Sequence, residues 1–271
     1  MRRRRGISPF AAIVLVLAAA YFLIPLIATF LFSLDSVQTG NCCSLAAWGT
    51  VFHDGMFWST LKTSLILALE TIAISLLLFV PTVYWVHLKL PRLRGLMASL
   101  ALLPFVIPPI VLVVGLLNVY HSAPGWFYNE PYGFLVGAYV ILAFPYMYFS
   151  LDAGFRAIDV HTLTEASHSL GAGWLRTITR VILPNIRVAA LSGSFLALAI
   201  VMGEFTIASL ASFSTFPTYI DYIEQTEAYP AAAVSCLSFA LTWAAMLSLL
   251  LVGRGRPGRF NQLAAGGARR I

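Results

Sequence analysis

Few residues in this chain are equipped for chemistry, because only 10% of the 271 are charged. The histidines His53, His87, His121, His161 and His168 are scattered and have no metal-ligand spacing. Cys42 and Cys43 are adjacent and Cys236 stands alone in an apolar run, which makes neither a zinc pattern nor a disulfide framework. Asp152 and Asp159 lie near His161, but the set is too loose to be a catalytic cluster at a membrane face. A phosphate-cradling loop would need Gly-x-x-x-x-Gly-Lys-Ser/Thr. The two lysines, Lys62 and Lys89, each follow a leucine, so ATP is not bound through such a loop. What remains is one polar stretch, Phe155–Ile186, with a spacing of its own.

In that stretch Thr162 and Glu165 fit a capping box, so a short helix is predicted to begin near Leu163. Gly171 and Gly173 are placed to end it. A second helical stretch is expected over Trp174–Leu183, interrupted by Pro184. The result is a helix–glycine–helix hairpin along a membrane surface. Gly171 permits a sharp turn between the two helices.

The elements that must position this hairpin are apolar. Hydrophobic residues make up 59% of the chain and mean hydropathy is +0.85. Soluble domains carry roughly 25% charged residues, so lipid is the solvent for most of this sequence. A window of about 19 residues finds six segments long enough to span: Phe10–Ser33, Thr63–Val86, Leu96–Tyr120, Phe134–Phe155, Val188–Phe213 and Ala231–Val252. Each must be helical, because lipid offers no partner to a free backbone group. The third, with Pro104, Pro108 and Pro109, is expected to kink or unwind. The first could pass for a signal peptide, since Arg2–Arg5 precede it, but it is far longer than the roughly 7–15 residues of such a core.

If the spans alternate, all of the 17 basic residues except Lys62 fall on one side. Arg2–Arg5, Lys89, Arg92 and Arg94, Arg156 to Arg187, and Arg254 to Arg270 share it. The positive-inside rule then places both termini in the cytoplasm. The net charge of +6 is a topology signal rather than a nucleic-acid footprint. Residues 1–252 form one transmembrane domain with the loop 156–187 between spans four and five, and a basic, disordered tail follows over 253–271. Tyr219–Glu227 alternates apolar and acidic residues and is expected to form a small interfacial helix. Trp126, Phe127, Tyr128, Tyr132, Tyr219, Tyr222 and Tyr229 crowd the outer boundaries as an aromatic belt or a contact surface.

Two acids stand deep inside spans, Glu70 and Glu204. A charge near the bilayer centre costs roughly 2.5–3.5 kcal/mol or more. Each therefore either lines a translocation cavity, where it would favour a cation, or is a structural carboxyl bonded within the bundle.

The hairpin resembles the "EAA" loop of permeases of binding-protein-dependent ABC importers, whose pattern is Glu-Ala-Ala-x3-Gly-x9-Ile-x-Leu-Pro. Here it reads Glu165-Ala166-Ser167, Gly171, then Val181-Ile182-Leu183-Pro184, with Ser167 and Val181 as the two departures. Ala172-Gly173-Trp174 resembles the family's Gly-Ala-aromatic region. Leu103-Pro104 with Pro108-Pro109, Phe144-Pro145-Tyr146 and Gly203-Glu204-Phe205 look like the second permease of the spermidine/putrescine branch, whose relatives import ferric iron, aminoethylphosphonate, thiamine or opines.

The resemblance implies an all-α membrane protein of the methionine-importer-type permease fold in a bacterial inner membrane. It implies a non-catalytic subunit whose helix Leu163–Gly171 docks on a separate ATPase dimer through Leu163, Glu165, Ala166, Ser167, Leu170, Gly171 and Ala172, with Leu183 and Pro184 behind it. ATP and magnesium would sit on that ATPase. A sister permease, different in sequence, and an extracytoplasmic binding protein complete the expected partners. Glu204, Glu70, Pro108 and Tyr146 are the candidate pathway residues, for a small cationic cargo such as a polyamine. A self-sufficient channel or ion-coupled transporter would be expected to show matching halves, and these halves do not match.

Overall fold

The computed structural model describes residues 9–34 and 44–253. Arg2–Arg5, Asp35, Cys42, Cys43 and the basic residues from Arg254 onward lie outside the described residues. Among the described residues all regular structure is helical. In chain order come α1 (Pro9–Ser33), α2 (Ala46–His53), α3 (Gly55–Leu88), α4 (Arg94–Val106) and α5 (Pro109–Tyr120). The one-turn α6 (Gly125–Tyr128), then α7 (Pro131–Arg156), α8 (Val160–Ser169) and α9 (Trp174–Asn185) follow. The chain continues through α10 (Arg187–Gly203), α11 (Thr206–Leu210), α12 (Phe216–Thr226) and α13 (Ala228–Gly253).

By length and composition α1, α3 and α7 can each cross a membrane, and the number rises to five if each of two bent pairs is one span. The sixth expected segment falls in α13, of which Ala228–Ala244 counts as a shorter apolar helix. Two of the six expected segments are interrupted, the third as its prolines lead one to expect and the fifth where no break was expected. The third breaks between α4 and α5, where the axes bend by 99°. Two successive prolines explain it: Ile107 is held extended at φ −89°, ψ 116°, and Pro108 follows at φ −58°, ψ 140°. Single prolines do not have this effect, since Pro25, Pro81 and Pro145 each lie inside an unbroken helix.

The fifth expected span also stops early, because α10 ends at Gly203 and the chain restarts as the short α11. The acid at position 204 caps that restart, as described below. Ahead of α10, the stretch predicted over Trp174–Leu183 runs to Asn185, contains a π-helical turn at Ile178–Ile182, and meets α10 at 82°. The small amphipathic helix expected at Tyr219–Glu227 runs from Phe216 to Thr226, with Pro217 in its first turn and a capping box from Thr215 to Thr218.

The chain divides into two compact units, 67–203 with 243–271 and 1–66 with 204–242. In the first, the ends of α3 and α7 meet α8, α9 and α10 around Val83, Tyr84, Leu151, Phe155, Val160, Ile178 and Ile182. α7 and α10 approach closely because Gly193 has no side chain. A Cβ there would lie 2.8 Å from Met147 Sδ and 3.3 Å from Met147 Cα. In the second unit Phe57 packs against Phe216 and Tyr219, with ring centroids 6.0 Å apart in both cases. The Tyr219 hydroxyl donates to Asp54 at 2.8 Å, and burial followed by that bond pushes its pKa well above the usual tyrosine value. Tyr219 is thus core rather than part of an outer aromatic belt, whereas Tyr222 remains exposed.

Candidate docking helix and the polar cluster behind it

α8 begins three residues before the predicted start. Its N-cap is Asp159, not Thr162. The Asp159 carboxylate accepts from the Thr162 amide at 3.1 Å and from the Thr162 hydroxyl at 2.7 Å. These bonds hold the exposed Asp159 carboxyl below its ordinary pKa, the hydroxyl contributing most. The extra turn buries Val160 in register with Thr164 and Ser167, one face of a 3.6-residue helix.

The other end closes at Gly171, one of the two glycines expected to end it. Gly171 adopts φ +78°, its amide donates to the His168 carbonyl at 2.8 Å, and the Ala172 amide donates to Ser167 at 3.1 Å. This pair of bonds is a Schellman motif, which calls for glycine at the left-handed position.

The helix has two unlike faces. Inward, Thr164 Oγ1 lies 3.3 Å from the Tyr84 hydroxyl and Ser167 bonds the Thr177 hydroxyl at 2.9 Å. Outward, Glu165 and Ala166 are exposed, and Leu170 is 89% exposed. Of the residues expected to dock, Ser167 is therefore turned inward, and Leu163 is partly buried against the core. Ala172 and Leu183 are half-buried and Pro184 is exposed.

Glu204 falls in a different unit from Glu70, Pro108 and Tyr146. Its buried carboxylate accepts from the Ile207 amide at 2.8 Å and the Ala208 amide at 3.3 Å, capping α11. Glu70 is half-buried midway along α3, Pro108 is exposed at the α4–α5 break, and Tyr146 packs edge-on to Phe105 at 5.3 Å.

Sequence reasoning passes over a polar cluster at the end of the bundle nearest α8. His87 and Asp152 are 4% and 6% exposed, and His87 Nε2 lies 2.8 Å from Asp152 Oδ1. An Arg94 guanidinium nitrogen lies 2.9 Å from His87 Nδ1, and Arg156 pairs with the second Asp152 oxygen at 2.6 Å. Arginine can only donate, so Nδ1 accepts and the imidazole proton sits on Nε2, which donates to Asp152. A mostly polar recess of about 250 Å³ opens beside the cluster, lined by His87, Arg94, Arg156 and Asp159 among others. The available signal was Asp152 itself, a third acid inside the segment 134–155.

These features define a class: a membrane component of several apolar helices, with one short helix anchored on its inner face and open on its outer one. The chain belongs to the family of binding-protein-dependent transport system inner membrane components, whose model matches residues 84–255.

Among similar proteins, the molybdate/tungstate transport system permease protein WtpB of Pyrococcus abyssi is 31% identical over 147 residues, covering 54% of this chain and 57% of that one. The molybdenum transport system permease protein ModB of Mycobacterium tuberculosis is 31% identical over 223 residues, covering 74% and 84%. The spermidine/putrescine transport system permease protein PotB of Escherichia coli is 28% identical over 175 residues, covering 58% and 62%. The chain thus spans little more than half the length of the Pyrococcus relative it matches. Among solved structures, a bacterial ABC transporter that imports alginate superposes with a TM-score of 0.64 at 16% identity, covering 92% of this chain and 97% of that one. The inward-facing MetNI methionine ABC transporter gives 0.55 at 16% identity, covering 73% and 92%. At such identities the likeness is one of fold.

Proposed function

We propose that this chain is the permease subunit of an ATP-driven ABC importer, forming half of a translocation pathway beside a second, different permease chain. α8 docks on a separate ATPase dimer that carries the ATP and magnesium. The basic ends of the helices face the cytoplasm of a bacterial cell, with both termini on that side. A binding protein delivers cargo from the other side. The observation that carries this reading is the two-faced α8, bonded inward through Thr164 and Ser167 while Glu165 and Leu170 stand open.

For the cargo we propose a small oxyanion of the molybdate kind, supported by the likeness to ModB over 74% of the chain. A cationic polyamine is the second reading, supported by PotB and by the half-buried Glu70. Glu204 adds less to that reading than the sequence implies, since two backbone amides already engage its carboxylate.

The test is co-purification followed by uptake. Tagged wild-type chain should bring down an ATPase, and Glu165→Arg combined with Leu170→Asp should release it. In vesicles carrying the assembled complex and its binding protein, labelled molybdate should accumulate and labelled spermidine should not. The reverse preference would select the polyamine, and an ATPase that stays bound to the double variant would remove α8 as the docking element.

A further inference from the structure

The polar cluster has no part in the docking surface, and burying it is costly. A buried polar network among apolar helices is often no more stabilising than well-packed hydrophobic residues of similar size. Its best-attested use is to fix one arrangement of the elements it joins. Beside it lies the apolar core that includes Val83, Leu151, Phe155 and Val160, and the His87 ring sits 5.4 Å from that of Phe155. The cluster joins three elements. His87 comes from α3, Arg94 from α4, and Asp152 and Arg156 from α7. One turn before His87 on α3, Tyr84 is 1% exposed and reaches Thr164 of α8. On α7, the Tyr148 hydroxyl donates to the Arg94 carbonyl at 3.3 Å, one turn before Asp152.

We propose that Tyr84, His87 and Asp152 are positioning residues that make α8, α3 and α7 move as one body, so that a displacement of α8 reaches two spans at once. The inference rests on the docking role of α8 proposed above. Its logic is geometric. α8 has two side-chain hydrogen bonds on its inner face. The one to Thr177 stays within the hairpin, on α9, which joins α10 through an 82° break. The one to Tyr84 leads straight to a span. His87 passes the connection on by accepting from Arg94 on one nitrogen and donating to Asp152 on the other. A residue with one donor and one acceptor can do this, and an apolar residue of similar volume cannot.

The experiment measures labelled cargo taken up per ATP hydrolysed, using the complete complex in vesicles. Tyr84→Phe removes one hydroxyl and keeps the ring in place. His87→Leu removes both nitrogens, and His87→Gln restores one acceptor and one donor. Tyr84→Phe and His87→Leu are expected to lower the ratio at least fivefold while the ATPase still co-purifies, and His87→Gln should recover more than half of the wild-type ratio. The proposal is overturned if Tyr84→Phe stays within twofold of wild type, or if His87→Gln is as impaired as His87→Leu. Should His87→Leu fail to fold, Tyr84→Phe decides alone. A wild-type chain that brings down no ATPase would instead remove the docking reading on which the inference stands.

Discussion

Glu204 stands where a helix stops. Gly203 ends α10, and the carboxylate at the next position accepts the Ile207 and Ala208 amides that open α11. Two donors with no intrahelical partner are satisfied by one side chain. Leaving such a buried donor unsatisfied costs about 1–3 kcal/mol. Glu204→Ala should therefore lower the thermal unfolding temperature of the purified protein and its folded yield. Glu204→Gln keeps an acceptor oxygen and should lose less stability, without altering which cargo is taken up. A change of cargo selectivity in Glu204→Gln, measured as the molybdate-to-spermidine uptake ratio, would return this carboxylate to the pathway. The sequence displays the acid in an apolar run, which is why it reads either as a pathway residue or as a structural carboxyl. What the sequence does not display is the break at Gly203, and without the break there are no free amides for the acid to meet.

At the scale of the element, α8 shows how nearly its limits can be read. Thr162 with Glu165 and Asp159 with Thr162 are both plausible caps. Packing decides between them, because a start at Leu163 would leave Val160 outside the helix that buries it. The C-terminal end was legible without help, since Gly171 is the position that needs a left-handed residue. Placing a side chain there costs roughly 1–2 kcal/mol. Gly173, at φ −74° with open space around it, carries no such requirement. Gly171→Ala should then destabilise the α8 turn by roughly 1–2 kcal/mol and weaken co-purification of the ATPase, while Gly173→Ala leaves both unchanged. Equal effects at the two glycines would mean that the turn does not set the docking geometry. The N-terminal cap adds a pH argument. Thr162 holds the Asp159 carboxyl below its usual pKa, so the stabilisation is complete above pH ~3.9 and is lost only as pH falls through the lower folded value. Titrating the co-purification assay between pH ~5 and ~8 should show no change that traces to this cap.

Across the whole molecule the charges were easier to read than the pairings. The apolar segments and the one-sided basic residues are local sums, visible residue by residue. His87 and Asp152 are 65 positions apart, and Tyr84 and Thr164 are 80 apart, so no spacing announces either pair. The two broken spans put the one-sided charge pattern at risk, because a break can turn a crossing into a re-entrant loop and return the chain to the side it left. α3 is the segment that fixes the pattern. It is unbroken, with Lys62 near one end and Lys89 after the other. At 1.5 Å per residue the distance between these positions is about 40 Å, enough to clear a hydrocarbon core of roughly 30 Å. If α4–α5 completes a crossing and α7 crosses back, Arg176 shares the side of Lys89 and Arg92. With Cys42, Cys43 and Cys236 first replaced by serine, a membrane-impermeant maleimide added to intact cells should label Lys62→Cys and spare Arg92→Cys and Arg176→Cys, which react only after permeabilisation. Labelling of Arg176→Cys from outside, with Arg92→Cys still protected, would make α4–α5 a re-entrant pair and move α8 to the face that no cytoplasmic ATPase can reach.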